Sequence, residues 1–157
     1  MLSLNEFRHL CNALKTTTKL KVLHLSGQIN LKQAVKLLQE ALTINTSLQE
    51  IYLISCHVDS EVCKSISQIL KTNKTLRHID VQWNYMSTQE CYKHIADGLL
   101  ANDTLVVMNM GENPLNNEGL SYLKVVAEHN KTLRWTNIDG KLNSNLQLNP
   151  GSNEIFR

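Results

Sequence analysis

The residues with the most obvious capacity for chemistry are two histidines and an aspartate, His24, His78 and Asp80. His78 and Asp80 are two positions apart on a predicted strand, so their side chains lie on the same face. A serine beside such a pair would complete a hydrolase-like set, and Ser26 and Ser55 are the nearest candidates. No nucleophile elbow occurs, and no motif fixes either serine beside a histidine. The pattern favours a solvated polar face, and we predict that the protein is not an enzyme.

The spacing of ligand-type residues does not support metal or cofactor chemistry. His24 and His78 are expected about 10 Å apart, too far to share one zinc ion without a ligand between them. The four cysteines contain no C-x-x-C pair; they could form two disulfides, but the reduced state is favoured without a secretion signal. Glycine-rich phosphate-binding motifs are also missing from the sequence. We therefore predict no cofactor and no metal, and Cys63 is predicted to pack as a small apolar residue.

Four N-x-[ST] sequons begin at Asn45, Asn73, Asn102 and Asn130. They suggest glycosylation, but all four occupy the same position of an internal repeat. At that position Asn and Thr can cap the end of a helix and open the next strand. The structural interpretation is therefore favoured over glycosylation.

Composition excludes several classes of protein. The chain has 157 residues, enough for one domain, and its 42% hydrophobic content excludes a wholly disordered chain. A net charge of +2 without a dense basic run argues against a nucleic-acid partner. No apolar stretch approaches the ~20 residues that span a bilayer, and the N-terminus MLSLNEFRHL has no signal-peptide core. We expect no membrane partner and a cytoplasmic location, or the host cytoplasm if the chain is a bacterial effector.

The elements that must position these residues follow from an internal repeat. Segments of the form L-x-x-L-x-L begin at Leu20, Leu48, Leu76, Leu105 and Leu133, in steps of 28 or 29 residues. Apolar residues also recur ten and thirteen positions before each segment, a spacing that lines one stripe of a helix. Each unit is therefore predicted to form a short strand, a turn, a helix and a return loop. One unit cannot bury its apolar face alone, so the units must stack.

This repeat, read as L-x-x-L-x-L-x-x-N with a full helix, resembles the ribonuclease-inhibitor type of leucine-rich repeat. The segments NKTLRHIDVQWNYM and DTLVVMNMGENPLNNEGL carry the resemblance best, and it spans about Phe7 to Asp139. It implies an α/β fold, a right-handed solenoid shaped as a horseshoe arc, with a parallel sheet on the concave face and helices on the convex face. The sequence departs from the family pattern in two ways: Asn30 occupies an apolar position, and only the fourth repeat has the glycine after the turn, Gly119.

We predict a single leucine-rich repeat domain over residues 1–157. Residues 1–19 form an N-terminal helical cap, 20–140 the repeats, and 141–157 a C-terminal cap or flexible tail. Ser3 and Glu6 are spaced as a capping box before a helix that runs to about Leu14. In the tail, Leu146 and Leu148 could form one more strand.

The side chains that flank the apolar strand positions should project from the concave face of the sheet. Aromatic residues there offer a large contact area with few rotatable bonds to freeze. Trp83 is expected at the rim, with Tyr52 and Trp135 on the face. Alternatively, Trp83 folds over its turn and Trp135 packs beneath the tail. The predicted partner-binding residues are His24, Glu50, Tyr52, Ile54, His78, Asp80, Gln82, Trp83, Asn109, Trp135 and Asn137.

These features predict a monomeric, non-enzymatic module that binds a protein or peptide partner through the concave face, in a receptor, scaffold or effector. The resemblance implies two alternatives. One is a regulator in trans of a GTPase, like the Ran GTPase-activating protein, acting through Glu112 and Asn113 or through Trp83 and Asn84. The other is a tropomodulin-like actin-binding domain.

Overall fold

Five helices and five short strands alternate along residues 1–138, the part of the chain that the computed structural model describes. The helices are α1 (Leu4–Thr16), α2 (Leu31–Ile44), α3 (Ser60–Thr72), α4 (Gln89–Leu100) and α5 (Asn117–His129). The strands are β1 (Val22–His24), β2 (Glu50–Tyr52), β3 (His78–Asp80), β4 (Val107–Asn109) and β5 (Trp135–Asn137). The predicted strand at Leu146 and Leu148 lies outside the described residues. None of the described helices is long and apolar enough to span a membrane.

The strands form one parallel sheet in the order β1-β2-β3-β4-β5. Adjacent strands pair so that equivalent residues of neighbouring repeats lie opposite one another. Ile51, for example, lies opposite Leu23 in β1 and opposite Ile79 in β3. Consecutive strands are neighbours and each connection passes through one helix, the arrangement that gives a solenoid. The predicted α/β leucine-rich-repeat fold is confirmed.

One apolar core fills the space between the sheet and the helices. The middle strand residues Ile51, Ile79 and Met108 are at most 2% exposed. The helical stripe has one residue thirteen positions before each strand motif. Four of these five residues are buried and the fifth, Leu120, is half-buried; the buried ones are Phe7, Val35, Cys63 and Tyr92. All four cysteines are free and buried, which confirms the apolar packing of Cys63.

A column of buried asparagines, here called the asparagine ladder, joins the helix ends to the strands. In Asn73 the amide oxygen accepts hydrogen bonds from the N–H groups of Thr75 and Leu76, both at 2.8 Å. Its amide nitrogen donates to the Leu42 carbonyl of the preceding repeat at 2.7 Å. The sequon nitrogens are therefore buried and engaged, in agreement with the structural interpretation. The ladder comprises Asn45, Asn73, Asn102 and Asn130.

A second set of asparagines closes the turns after the strands. The Asn84 oxygen accepts from the N–H groups of Cys56 and Val58, and its nitrogen donates to the Leu53 carbonyl at 2.8 Å. Asn113 makes the equivalent contacts one repeat later. These side chains satisfy backbone groups that the turn would otherwise leave buried and unpaired. They hold each strand-end turn in place against its neighbours.

The N-terminal helix begins at the predicted capping box. Ser3 accepts from the Glu6 N–H, and the Glu6 carboxylate accepts from the Ser3 N–H at 2.8 Å. The helix continues to Thr16, two residues beyond the expected end. Helix α2, in contrast, starts after Asn30 without a side-chain cap hydrogen bond, consistent with the irregular first turn in the sequence.

The first repeat is less buried than its sequence predicts. Leu20 is 38% exposed and Leu23 is only half-buried, although both were expected in the core. The cause is position: β1 is the first strand of the sheet, and among residues 1–138 no strand pairs with its outer side. Burial of the motif leucines is therefore incomplete at this edge, as expected for a terminal repeat.

Candidate functional site

Three rings line the first strands on the concave face, and we call them the ring ladder: His24, Tyr52 and His78. The rings of His24 and Tyr52 stack with centroids 4.2 Å apart and planes at 11°. Tyr52 and His78 are tilted by 50° with centroids 5.0 Å apart. The Tyr52 ring therefore lies between the two histidines, at the position where a shared zinc ion would need a further ligand. His24 is exposed, and the other two are half-buried.

Burial and neighbouring carboxylates set the protonation of the ring ladder. The Tyr52 hydroxyl donates to the Glu50 carboxylate at 2.8 Å. Burial, followed by that hydrogen bond and charge, raises the pKa of Tyr52 to about 12. Burial lowers the pKa of His78, against the opposing effect of Asp80 and Glu50. The buried Nε2 atom of His78 has no hydrogen-bond partner among residues 1–138.

Asp80 and Asn109 are buried, whereas the strand pattern predicts that they project from the sheet. They are opposite one another in β3 and β4, and the Asn109 amide donates to Asp80 at 2.8 Å. The other Asp80 oxygen accepts from the Gln82 N–H at 2.9 Å, and Asn109 accepts from Gly111. Because each side chain folds back onto its own strand end, the pair lies flat on the sheet. Direct access for a partner is smaller than expected.

Side-chain amides cover the end of β4. A Cβ atom placed on Gly111 would lie 2.6 Å from the Asn137 nitrogen and 3.1 Å from the Gln82 nitrogen. Gln82 and Asn137, which the sequence assigns to the surface, therefore meet above this glycine. Both are half-buried, and so is Ile54.

The turns after the strands share an unusual backbone conformation. Gly27, Ser55, Trp83 and Glu112 occupy the same repeat position and all have φ between 54° and 76°. Glycine adopts this left-handed region freely, but other residues adopt it at a cost, most of all bulky ones. Hydrogen bonds from neighbouring turns impose the geometry, including that of the Trp83 N–H to the Gly111 carbonyl at 3.2 Å. The protein thus holds a tryptophan where backbone geometry favours a glycine.

Trp83 belongs to an exposed group that we call the aromatic turn: His57, Trp83 and Tyr85. Trp83 is 60% exposed, in agreement with the rim position and not with the alternative in which it folds over its turn. Tyr85 is 62% exposed, and its ring meets the edge of His57 with centroids 4.9 Å apart. Sequence reasoning missed Tyr85, although its position 28 residues after His57 was a usable signal.

Trp135 lies in β5 opposite Val107, as its motif position predicts. Its assignment to the partner-binding surface stays a prediction, as does the alternative that it packs beneath the tail, because the tail lies outside residues 1–138.

Catalytic and metal-binding arrangements are not formed by the described residues. Asp80 accepts from Asn109 and from the Gln82 backbone, so it is not positioned as the orienting acid of a His–Asp pair. Within residues 1–138 no group of three or more His, Cys, Asp or Glu side chains could hold a metal ion. What the surface offers is rings and amides on a firmly held backbone, which suits recognition by contact.

Comparison with known proteins gives distant sequence similarity to much longer proteins and close similarity in fold. No family model matches the sequence. NACHT, LRR and PYD domains-containing protein 9C of Mus musculus is 27% identical over 78% of this chain and 15% of its own length. Protein 14 of the same name series, also from Mus musculus, is 28% identical over 73% of this chain and 14% of its length. The chain thus spans about one seventh of these relatives.

Two solved structures share the fold over nine tenths of the chain. The C-terminal domain of Caenorhabditis elegans tropomodulin superimposes with a TM-score of 0.76 at 16% identity, covering 90% of this chain and 86% of that one. Actin-binding site 2 of leiomodin-1 gives 0.75 at 19% identity, covering 90% and 83%. At these identities the comparison defines the fold alone: this chain is a leucine-rich-repeat solenoid.

Proposed function

We propose that this chain is a non-enzymatic module that binds a protein or peptide partner through its concave face and the adjoining aromatic turn. The observation that carries the proposal is the exposure of Trp83 and Tyr85, at 60% and 62%, on turns anchored by buried asparagines. Large aromatic side chains on a firmly held backbone lose little conformational entropy on binding. Such residues form the energetic centre of many protein interfaces.

The ring ladder supplies a second contact area next to the aromatic turn. His24 is exposed at its outer end, and Tyr52 presents a ring edge fixed by the Glu50 hydrogen bond. We assign orientation and specificity to the polar and apolar groups around these rings. They are Glu50, Ile54, His78, Asp80, Gln82, Asn109 and Asn137, with Trp135 at the far end of the sheet.

The test is capture from a cell lysate by immobilised protein. Wild type is compared with a Tyr52→Ala/Trp83→Ala double variant and with a Lys36→Ala/Lys64→Ala control, whose substituted side chains are exposed on α2 and α3. All three must show the same helical circular dichroism. We expect a partner that wild type and control retain and the double variant loses. Equal recovery by all three would refute the assignment to the concave face.

Actin is a second candidate partner, because a solved fold neighbour is named as an actin-binding site of leiomodin-1. Co-sedimentation with actin filaments and a pointed-end elongation assay test this candidate. If the module binds actin, wild type sediments with filaments or slows elongation, and the Tyr52→Ala/Trp83→Ala variant does so less. No effect of wild type in either assay would eliminate actin.

We further propose the ribonuclease-inhibitor type of repeat, on the basis of the 28–29-residue period with a full helix in each unit. A single domain over 1–157, a monomeric state and a cytoplasmic location complete the proposal. The four free cysteines favour a reducing compartment.

A further inference from the structure

Trp83 and Glu112 occupy the same position in consecutive repeats, each in the turn that follows a strand. Both have a left-handed backbone, with φ of 54° and 56°. The Trp83 N–H donates to the Gly111 carbonyl at 3.2 Å, so the two turns are in direct contact. Because adjacent strands of a sheet lie ~4.8 Å apart, the two side chains start from neighbouring points on the same edge of the solenoid.

Neither side chain has an internal contact that accounts for its position. Trp83 is 60% exposed, and no ring or cation packs against its indole among residues 1–138. Glu112 is exposed, and its carboxylate makes no ion pair or hydrogen bond within the same residues. Both residues nevertheless bear the cost of a backbone region that glycine adopts freely. Residues kept in such a conformation without internal contacts are typical of a functional site.

The surface around this pair is negatively charged. We call it the turn edge: the turns after β1 to β4 together with the first turn of the helix that follows each, residues 25–33, 53–62, 81–91 and 110–119. It contains five carboxylates and a single Lys or Arg. That cation, Lys32, lies 2.7 Å from Asp59 and 3.5 Å from Glu61, so these three charges are already paired. The other carboxylates are exposed and make no ion pair among residues 1–138: Glu90, Glu112 and Glu118.

Two of the three unpaired carboxylates have a local explanation, and Glu112 has none. Glu90 and Glu118 lie in the first turns of α4 and α5, where the free N–H groups of a helix favour negative charge. Glu112 lies before α5, and the side chain that caps this helix is that of Asn116. Glu112 is therefore the carboxylate available to a ligand, and it stands beside the exposed indole.

We propose that Trp83 and Glu112 bind an arginine side chain of the partner. The guanidinium stacks on the indole and donates paired hydrogen bonds to the Glu112 carboxylate. Arginine suits this pair better than lysine, because its planar group can stack on a ring and match a carboxylate at the same time. The proposal rests on the function proposed above and gives the chemistry of the partner, a segment that presents an arginine to the turn edge.

The probe is the capped tripeptide Gly-Arg-Gly, and the readout is the NMR signal of the Trp83 indole N–H, identified by its loss in Trp83→Ala. Reference peptides carry lysine or citrulline in place of arginine; citrulline has nearly the same shape but no charge. We expect the arginine peptide to shift the signal saturably, the citrulline peptide to bind at least about tenfold more weakly, and the lysine peptide to bind more weakly than arginine.

Three results with wild type would overturn the proposal. Equal affinity for arginine and citrulline would show that the carboxylate has no part in binding. Equal affinity for lysine and arginine would show a general cation site. No shift of the Trp83 signal at millimolar arginine peptide would show that the indole is not the binding surface.

Protein variants separate the proposed pair from the charge of the whole edge. Glu112→Gln removes the charge and keeps the shape, and it should weaken binding of the arginine peptide about tenfold. The matched control Glu118→Gln removes the same charge from the same edge, and it should change the affinity by less than about twofold because exposed charges are screened. Equal weakening by both variants would show attraction by net charge only and overturn the proposal.

Capture from a cell lysate distinguishes failure of this proposal from failure of the function on which it rests. Immobilised Glu112→Gln and Glu118→Gln are compared with wild type and with Tyr52→Ala/Trp83→Ala. A partner that Glu118→Gln retains, and that both Glu112→Gln and the double variant lose, would support arginine recognition. A partner lost from the double variant alone would leave the proposed function standing and refute the arginine site. Equal recovery by all four proteins would refute the proposed function itself.

Discussion

Replacing Trp83 by glycine should give a more stable protein than replacing it by alanine. Both changes remove the same indole contacts, so the comparison isolates the backbone. At φ 54° an alanine Cβ costs about 1–2 kcal/mol that glycine avoids. Glycine in turn loses about 0.4–1 kcal/mol through the greater freedom of its unfolded chain. The glycine variant should therefore have a free energy of unfolding about 0.5–1 kcal/mol above that of the alanine variant.

Urea unfolding followed by circular dichroism measures this difference. Ser55, at the equivalent turn with φ 55°, should show the same order of glycine over alanine. Lys71, exposed in the last turn of α3, serves as the reverse control, since glycine costs up to about 1 kcal/mol relative to alanine within a helix. If alanine is the more stable residue at both Trp83 and Ser55, the fold does not impose the left-handed conformation on these turns.

Four further predictions concern the asparagine ladder, the core and the ring ladder. Asn73→Ala removes the side-chain partner of the Thr75 and Leu76 N–H groups and of the Leu42 and Asn45 carbonyls, so it should lower the free energy of unfolding by about 2–4 kcal/mol. The control Asn12→Ala, at an exposed position of α1, should change it by less than about 0.5 kcal/mol. Ile79→Asp places a charge at a site in the central strand that is only 2% exposed. It should destabilise all repeats together, so that the whole array unfolds in one transition when urea unfolding is measured. A core that stays folded would show weaker coupling between the repeats. Because the pKa of His78 is lowered on folding, the unfolded state binds the proton more readily, so stability should fall as pH drops through about 6.5. Stability measured at several pH values should show a smaller fall in His78→Gln, and an unchanged fall in that variant would contradict the assignment. If His78 contacts the partner, affinity should also change as the pH falls below about 6.5, and a flat affinity there would place His78 outside the interface.

The regular part of this fold could be predicted because its cause is periodic. Ile51, Ile79 and Met108 recur at a fixed step and each faces the same neighbours, so one position explains the others. The asparagine ladder follows for the same reason. Leu20 breaks the rule because burial depends on the next strand, and a sequence motif does not say whether that strand is present.

The candidate site was less predictable because it depends on contacts between repeats. Alternation places Asp80 and Asn109 outward, but they are hydrogen-bonded to each other across two strands, and both are buried. Only one of the four equivalent turn positions, Gly27, is a glycine, so the sequence did not predict the positive φ at Trp83. The ring contact of Tyr85 with His57 likewise joins residues one repeat apart.

Site-specific photocrosslinking in a cell lysate tests the position of the proposed interface most directly. A photoreactive phenylalanine derivative replaces Tyr85 in the aromatic turn or, as the matched control, Lys36 on the exposed surface of α2. If the concave face and the aromatic turn form the interaction surface, irradiation should give a defined protein adduct at position 85 and none at position 36. An adduct at position 36 without one at position 85 would place the interface on the convex helices and contradict binding through the concave face and the aromatic turn.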